Sequence, residues 1–569
     1  MKESRLKFVV IIFLVVGGVI VARLFYLQIF RYQYYHQQAE RSRGVERVID
    51  AKRGEIKDSG NYLLATNLES YSLVAVPANI IDPQGAATAL AKYLGVNPAD
   101  PAQFNPLVKE LSRKDDFYKL LKKDLTTDQA QEIKELAMPG ILIEAGSKRS
   151  YPENNLFSHV VGFLGYNEDK SAGQYGVEEF FNKDLAGTAG LISYDKTPSG
   201  TLILDSEKII QQPQDGADIY LTLDRAIQYT SCQALAEGVK KAQAASGSVV
   251  LMDPSTGKIL ALCNYPDFDP NNYQKVADYQ DFFNSAISET YEPGSVFKIF
   301  TMGAALDTGS VTPDTTYTDT GEVKIGSYTI RNSDLLAHGV KTMTNVLEKS
   351  LNTGAVFAAR KTGLPMFRTY VKNFGFDSLT GIEQPGEAVG DISNLDKSAD
   401  IYFATASFGQ GISVTTIQLL AATGAIANQG KLMQPYLVDK IVKSDGSVIV
   451  NQPKFIRQVI TPATAATLSA MMVSVLENGY GKLARVPGYW VAGKTGTAQV
   501  PNPQGGGYSK LTIHSFVGFV PNDNPKFVGV VKINYPKIGN FAESTAAPIF
   551  GKIADYVLKY YNVAPNRIK

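Results

Sequence analysis

This 569-residue chain has few cysteines and almost no net charge. Its two cysteines, Cys232 and Cys263, are too few to indicate a disulfide framework or a zinc site. They fall in different predicted elements, and we interpret them as two buried free thiols. The formal net charge is +1, from 56 basic and 55 acidic residues, so the charge gives no support to nucleic-acid binding.

Histidine is also sparse, with four residues at positions 36, 159, 338 and 514. None lies within a few residues of the serines and lysines discussed below. A Ser-His-Asp triad assembles residues that are distant in sequence, so this spacing does not exclude one. The chain has no G-x-S-x-G elbow, however, and a lysine-based mechanism needs fewer coincidences.

Three short polar motifs follow one another in the second half of the chain: Ser295-Val-Phe-Lys298, Ser350-Leu-Asn352 and Lys494-Thr-Gly-Thr497. Ser295 opens an apolar stretch that is typical of a buried helix beginning at the serine. Residues three apart share a helix face, so the amine of Lys298 is predicted to lie near the Ser295 hydroxyl. A lysine is a base only when neutral, and burial together with the charge of Lys494 would lower its pKa.

These motifs resemble the signature set of the penicillin-binding proteins and serine β-lactamases. From about residue 45 to its end, the chain resembles the class B, monofunctional penicillin-binding proteins. The middle of S-x-N is leucine, and Leu223 stands where the family often has isoleucine; neither difference removes a reacting group. The matching stretches are Arg53 to Asp58, Arg149 to Pro152, His159 to Phe163, Gly173 to Glu178, Leu185 to Gly187, Leu221 to Asp224 with Gln228, Met252 to Gly257 and Ser407 to Gly411.

The resemblance implies roles for the first two motifs. Ser295 would attack a peptide carbonyl and become acylated, with Lys298 as its base. Ser350 would relay a proton to the leaving amine, while Asn352 would hold the substrate amide and the lysine.

The third motif is implied to bind the substrate. Lys494 and Thr495 would face the substrate carboxylate, and Gly496 and Thr497 would also bind the substrate. The backbone N–H groups of Ser295 and Thr497 would form the oxyanion hole. The segment is predicted to be an edge strand to which the substrate adds as an extended peptide.

The N-terminal segment is predicted to be a transmembrane signal anchor. Residues 8 to 22 are apolar or glycine, and the apolar run resumes after Arg23. Fifteen residues fall short of the ~20 that a bilayer helix needs, but with Arg23 snorkelling the span extends to about Phe30. Three basic residues precede it, which predicts a cytoplasmic tip and an outward-facing body. A cleaved signal peptide is the alternative, although no A-x-A site follows.

The length predicts three to four units at about 150 residues each. We assign residues 1–30 to the tip and anchor, 31–225 to a linker and non-catalytic pedestal of the dimerisation type, and 226–569 to the catalytic domain. The predicted class is α+β: a transmembrane helix, an elongated mixed pedestal and a β-lactamase-like domain. In that domain an antiparallel sheet flanked by helices would accompany an all-α lobe, with sheet strands at 248–263, 488–500, 512–520 and 526–533.

Two competing patterns need weighing. Residues 488–495 satisfy the G-x-x-x-x-G-K-[ST] pattern of a nucleotide-binding P-loop, but the proline-containing segment after Thr497 cannot form the helix that a P-loop requires. Glu383 and Glu387 lie at about the interval of the deacylating glutamate of one β-lactamase class. Their stretch instead resembles a P-G-E loop of class B penicillin-binding proteins.

The resemblance implies a D,D-transpeptidase, anchored in the cytoplasmic membrane, that crosslinks peptidoglycan stem peptides. It would take a D-Ala-D-Ala donor and an amine acceptor, be trapped by β-lactams, and need no metal or organic cofactor. Residues 291–294 and 407–411 look closer to the septal, division-type branch than to the elongation branch that maintains cell shape. The family also implies partnership with a SEDS-class glycosyltransferase and divisome proteins. A β-lactam sensor and a divisome scaffold are the alternatives of other classes.

Overall fold

The computed structural model describes residues 2–35, 44–116, 118–167, 170–196, 202–502 and 505–567. Contacts divide the chain into two compact units, neither of which is continuous in sequence. The smaller unit comprises Met1–Lys52, Leu68–Lys148 and Gly187–Asp215. The larger unit comprises Arg53–Asn67, Arg149–Ala186 and Gly216–Lys569.

The predicted anchor is helical. An α-helix covers Lys2–Phe25, and a π-helical turn, Tyr26–Phe30, continues it. The span Glu3–Phe30 has a hydropathy of 2.8 and none of it is buried. By length and composition it is the one helix among the described residues that could cross a membrane, and it therefore fits a single-pass anchor.

Beyond the anchor helix, the smaller unit mixes three α-helices with strands, as predicted for this region. These three helices each begin after a capping side chain, which accepts a hydrogen bond from a backbone N–H of the first turn. They cover Pro83–Leu94, Pro101–Leu111 and Thr127–Glu135. Its strands are Gly44–Ile49, Gly190–Lys196 and Leu202–Gln211 in one antiparallel sheet, and Lys119–Leu125 and Ile141–Ser150, which pair with the long strand Leu63–Ala75.

The larger unit is built on a five-stranded antiparallel sheet, which we call the central sheet. All its strands were predicted, with boundaries within four residues of those observed. In spatial order they are Ile259–Tyr265, Ser246–Met252, Phe527–Asn534, Tyr508–Val520 and Ala492–Pro501. We call Ala492–Pro501 the edge strand, because it has a sheet neighbour on one side only among the described strands.

Helices cover both faces of the central sheet. The C-terminal helix Ala546–Tyr560 packs on one face, where the rings of Phe516 and Phe550 lie 4.8 Å apart. On the other face Gly424, in the helix Thr416–Ala427, approaches the sheet so closely that a Cβ there would meet Met252. The remaining helices are Ser158–Val161, Gly176–Phe180, Asn182–Ala186, Arg225–Ala242, Ser285–Ser288, Lys298–Asp307, Met343–Glu348, Asn352–Thr362, Leu364–Asn373, Asp400–Ala406 and Pro462–Asn478.

The lobe between the strand Ile259–Tyr265 and the edge strand contains short strands as well as the expected helices. Thr316–Asp319 pairs with Gly339–Thr342, and Glu322–Ile325 pairs with Tyr328–Arg331. The other short strands of the larger unit are Ile56–Lys57, Phe163–Asn167, Lys170–Gln174, Asp218–Leu221, Thr290–Tyr291, Val414–Thr415, Lys431–Met433, Val438–Val442, Val448–Val450 and Phe455–Gln458.

The interpretation of the cysteines as free thiols is wrong. Cys232 and Cys263 form a disulfide, with their Cα atoms 5.3 Å apart. Cys232 lies in the helix Arg225–Ala242, which packs against the strand that carries Cys263. Their assignment to different elements concealed the pairing, because the distance between elements is a property of the folded chain.

Candidate active site

Ser295 lies in a short 3₁₀ turn, Gly294–Phe297, which we call the serine turn; the α-helix starts at Lys298 and not at the serine. Gly294 has φ +59°, and its N–H donates to the carbonyl of Gly409 over 2.9 Å. A Cβ on Gly294 would come within 3.0 Å of the Ala498 side chain. The absence of a side chain therefore lets the serine turn fit closely between Gly409 and the edge strand.

Two buried lysines converge on Ser350. The amine of Lys298 donates to the Ser350 carbonyl over 2.5 Å and to its Oγ over 3.3 Å. The amine of Lys494 donates to the same Oγ over 3.0 Å. Among the described residues the Ser295 hydroxyl makes no hydrogen bond, so its predicted contact with Lys298 is not formed in this state. The structure thus joins one residue from each of the three motifs through a single hydroxyl.

Ser350 reaches this position through an unusual backbone. Its φ is +55°, in the left-handed region, between the helices Met343–Glu348 and Asn352–Thr362. Asn352 opens the second of these helices, and its side-chain N–H donates to the carbonyl of Arg331 over 2.8 Å. No hydrogen bond joins Asn352 to either lysine among the described residues, so its expected hold on the lysine is not formed here.

Burial makes both lysines unusually acidic. Lys298 and Lys494 are 1% and 0% exposed. Desolvation, and then the nearby charge of Lys494, hold the pKa of Lys298 well below its usual value. Desolvation also lowers the pKa of Lys494 to about 7. The lowered pKa of Lys298 is in the direction that a lysine base requires, because the amine must be neutral to accept a proton.

The edge strand carries the rest of the third motif. The Thr495 hydroxyl donates to the Tyr480 carbonyl over 3.0 Å, and the Thr497 hydroxyl accepts from the N–H of Ala542 over 3.1 Å. A Cβ on Gly496 would lie 2.7 Å from Ser515 Oγ and 2.8 Å from a backbone oxygen of the segment before the serine turn. No described strand pairs with the other side of this strand, whose backbone N–H and C=O groups could therefore pair with an extended peptide.

The competing patterns belong to structural contacts. Lys494 and Thr495 lie in a strand and not at the start of a helix, which rules out the P-loop geometry. Glu383 accepts from the N–H of Leu437 and the side chain of Asn451, while Glu387 accepts from residues 380 and 381. Neither carboxylate has a hydrogen bond to the three motifs.

The histidines are likewise bonded elsewhere. His159 pairs with the carbonyl of Asp281, His338 with Asp334, and His514 with Thr512 and Thr545; His36 lies outside the described residues. In the part of the chain that the structure describes, no group of three or more histidine, cysteine or acidic residues is arranged to hold a metal ion.

One feature of the site was missed by the sequence interpretation. Glu292, three residues before Ser295, accepts from the N–H of Gly411 over 2.9 Å and from the Tyr508 hydroxyl over 3.3 Å. In the sequence, residues 291–294 indicate only the branch of the family. An acidic residue beside a nucleophile was a signal in the sequence, but its partners lie 119 and 216 residues away.

Comparisons with known proteins agree with this geometry. The family model for the penicillin binding protein transpeptidase domain matches residues 247–555, and the model for the penicillin-binding protein dimerisation domain matches residues 48–221. Stage V sporulation protein D of Bacillus subtilis is 32% identical over 575 residues, covering 99% of this chain and 87% of that protein.

Two further relatives are similar over their whole length. The probable peptidoglycan D,D-transpeptidase PbpC of Pseudomonas aeruginosa is 31% identical, covering 100% of this chain and 97% of that protein. The crystal structure of penicillin binding protein 3 from Mycobacterium tuberculosis, complexed with aztreonam, has a TM-score of 0.71 at 27% identity, covering 92% of this chain and 98% of that one. The chain therefore belongs to the class B penicillin-binding proteins.

Proposed function

We propose that this protein is a serine D,D-transpeptidase that crosslinks peptidoglycan stem peptides through an acyl-enzyme on Ser295. The observation that carries the proposal is the convergence of the Lys298 and Lys494 amines on the Ser350 hydroxyl, beside the serine turn and an open sheet edge. A relative named as a probable peptidoglycan D,D-transpeptidase supports the substrate class.

In the acylation step, Ser295 Oγ attacks the carbonyl carbon of the penultimate D-alanine. Its proton passes to the neutral amine of Lys298, and the backbone N–H groups of Ser295 and Thr497 stabilise the oxyanion. The C–N bond then breaks: Ser350 passes its proton to the departing nitrogen and takes one from the protonated amine of Lys298, so that D-alanine leaves as an amine and both side chains return to their starting state. Both products of the step are thereby neutral at the reacting atoms.

The edge strand binds the donor peptide. Protonated Lys494 and the Thr495 hydroxyl face the terminal carboxylate, Gly496 belongs to the strand that binds the peptide, and Asn352 holds the substrate amide. In the second step the amine of another stem attacks the ester carbonyl, loses a proton and regenerates the Ser295 hydroxyl. No step calls for a metal or an organic cofactor.

β-Lactams would acylate Ser295 in place of the donor, as the aztreonam complex of a related structure suggests. We assign residues 1–30 to the tip and anchor, 31–225 to the pedestal and 226–569 to the catalytic domain, which lies outside the cytoplasmic membrane. We further propose a role in division, with a SEDS-class glycosyltransferase and divisome proteins as partners; an elongation role is the alternative.

The test is intact-mass spectrometry of the detergent-solubilised protein after incubation with benzylpenicillin, beside Ser295→Ala. A stable adduct on the wild type alone supports the proposal. Rapid drug hydrolysis without an adduct would make the protein a β-lactamase. Absence of any reaction would favour a scaffold, and in that case Ser295→Ala would still complement loss of the gene.

A further inference from the structure

Glu292 carries an enclosed carboxylate oxygen without a partner. Its Oε1 accepts the hydrogen bonds from Gly411 and Tyr508, whereas its Oε2 is shielded from solvent and has no hydrogen-bond partner. Among the described residues it is the one carboxylate oxygen in this condition. Buried polar atoms in native proteins nearly always have a partner, either protein or ordered water, and Oε2 therefore has the capacity to accept a hydrogen bond from a bound group.

The chain does not supply that donor. Lys532 is a fully buried cation in the same unit, but its amine lies 3.1 Å from Glu289 and over the ring of Tyr291. No salt bridge to Glu292 occurs within the described residues. An enclosed carboxylate is costly when ionised, and desolvation raises the pKa of Glu292. A bound ammonium group would compensate this cost most effectively, because it supplies both charge and N–H donors.

Glu292 lies near a defined part of the edge strand. Gly294, two residues after Glu292, approaches the Thr497 carbonyl and Ala498. Tyr508, which bonds Glu292, is the cross-strand partner of Pro501. Glu292 is therefore near the end of the strand that follows Thr497, away from Lys494.

The direction of the bound peptide follows from the roles proposed above. A terminal carboxylate at Lys494 and Thr495, and a reacting carbonyl at Thr497, require the peptide to run antiparallel to the edge strand. The residue that precedes D-Ala-D-Ala then lies beside the segment after Thr497. In a stem peptide this residue is the diamino acid, which carries a free or crosslinked side-chain amine.

We propose that Glu292 is a specificity residue that binds a primary amine of the stem peptide. This inference rests on the proposed function and deepens it. The amine has two possible sources: the side chain of the donor's own diamino acid, or the attacking amine of the acceptor. Gly411 orients the carboxylate by bonding Oε1. Oε2 is enclosed in this state, so the amine reaches it after the exposed Tyr508 side chain, the other partner of Oε1, has moved aside.

The experiment compares the wild type with Glu292→Gln, which preserves the shape and the Oε1 acceptor but removes the charge. In the donor arm, release of D-alanine is measured from N-acetyl-L-alanyl-γ-D-glutamyl-L-lysyl-D-alanyl-D-alanine and from the same peptide with norleucine for lysine. In the acceptor arm, the norleucine peptide is the donor, the lysine tetrapeptide is the acceptor, and the ratio of transfer to hydrolysis is measured.

If the donor amine binds, the wild type prefers the lysine peptide in kcat/KM, and Glu292→Gln reduces this preference by about tenfold or more. If the acceptor amine binds, the variant instead lowers the ratio of transfer to hydrolysis by a similar factor. Glu543→Gln is the matched control: it removes one negative charge next to Ala542, which bonds Thr497, and should change neither quantity.

A wild type without amine preference in either arm would overturn the inference, as would equal losses for Glu292→Gln and Glu543→Gln. The benzylpenicillin adduct separates this failure from failure of the proposed function. A protein that forms the adduct but does not discriminate amines refutes the role of Glu292 alone. A wild type that neither forms the adduct nor releases D-alanine refutes the transpeptidase.

Discussion

Ser350 is the residue at which the three motifs meet. Its Oγ accepts from both buried lysines, and its left-handed backbone directs the side chain between them. A non-glycine residue in that conformation carries a conformational cost that the surrounding structure must offset. At the residue scale, the proposed proton relay therefore depends on a hydroxyl whose position is defined by its neighbours.

We expect Ser350→Ala to slow acylation by benzylpenicillin about 100-fold or more, because the variant removes the group that delivers a proton to the leaving nitrogen. The second-order rate constant, followed with a fluorescent penicillin, measures the effect. Ser288→Ala, which also removes a partly buried serine hydroxyl of the larger unit, is the control. A rate for Ser350→Ala within twofold of the wild type would contradict the relay.

The pH dependence of acylation should report both lysines. As the proposed base, Lys298 must be neutral, so the rate should rise with pH through its lowered pKa. The carboxylate-binding Lys494 must be charged, so the rate falls as pH rises through about 7. Since the charge of Lys494 lowers the pKa of Lys298, Lys494→Gln should lose the alkaline fall and move the acid limb to higher pH.

A pH series of acylation rate constants measures both limbs. Lys349→Gln is the matched control, since it removes an exposed lysine adjacent to Ser350 and should retain the wild-type profile. An unchanged acid limb in Lys494→Gln would mean that the two amines do not interact as described.

At the scale of elements, close backbone approach holds the site together. Gly496 lies against Ser515 on the neighbouring strand and against the Pro293 carbonyl before the serine turn. Backbone atoms at such distances cannot move aside independently, since each belongs to a packed element. The position of Ser295 relative to the edge strand is thus determined by the lack of a side chain.

Gly496→Ala should therefore displace the edge strand from the serine turn. We expect a loss of about 1–3 kcal/mol in stability through overpacking, and a larger relative loss in acylation rate. Thermal unfolding and benzylpenicillin acylation measure the two effects. Gly146→Ala, where a Cβ would meet only one atom at 3.8 Å, should leave both unchanged. Wild-type acylation by Gly496→Ala would refute the close contact.

The disulfide joins a helix to a strand of the central sheet across 31 residues. A crosslink of this loop length contributes about 2–4 kcal/mol by restricting the unfolded chain. The double variant Cys232→Ser/Cys263→Ala should therefore unfold at a lower temperature. Alkylation of the denatured protein should label two thiols after reduction and none before it. Labelling without a reductant would restore the interpretation as free thiols.

At the scale of the whole molecule, the apolar helix bears on where the protein works. Among the residues that the structure describes, none buries the apolar surface of this helix, and a bilayer would cover it. A body outside the cytoplasm would also meet an oxidising environment, in which a disulfide persists.

We expect the full chain to sediment with membranes and residues 31–569 to remain soluble. In spheroplasts, external protease should degrade the body of the full chain. Recovery of residues 31–569 in the membrane fraction would point to a second attachment, and protection from external protease would reverse the proposed orientation. Benzylpenicillin binding by residues 31–569 is the control for folding.

The sequence by itself indicated the three polar motifs, the central strands and the apolar span. These depend on residues close in the chain: Ser295 and Lys298 are three positions apart, and short apolar runs bounded by turn residues indicate strands without their neighbours. The tertiary structure alone decided the Cys232–Cys263 pairing, the meeting of two lysines at Ser350 and the surroundings of Glu292. Each of these joins atoms from segments distant in sequence, and local patterns carry no information about such distances.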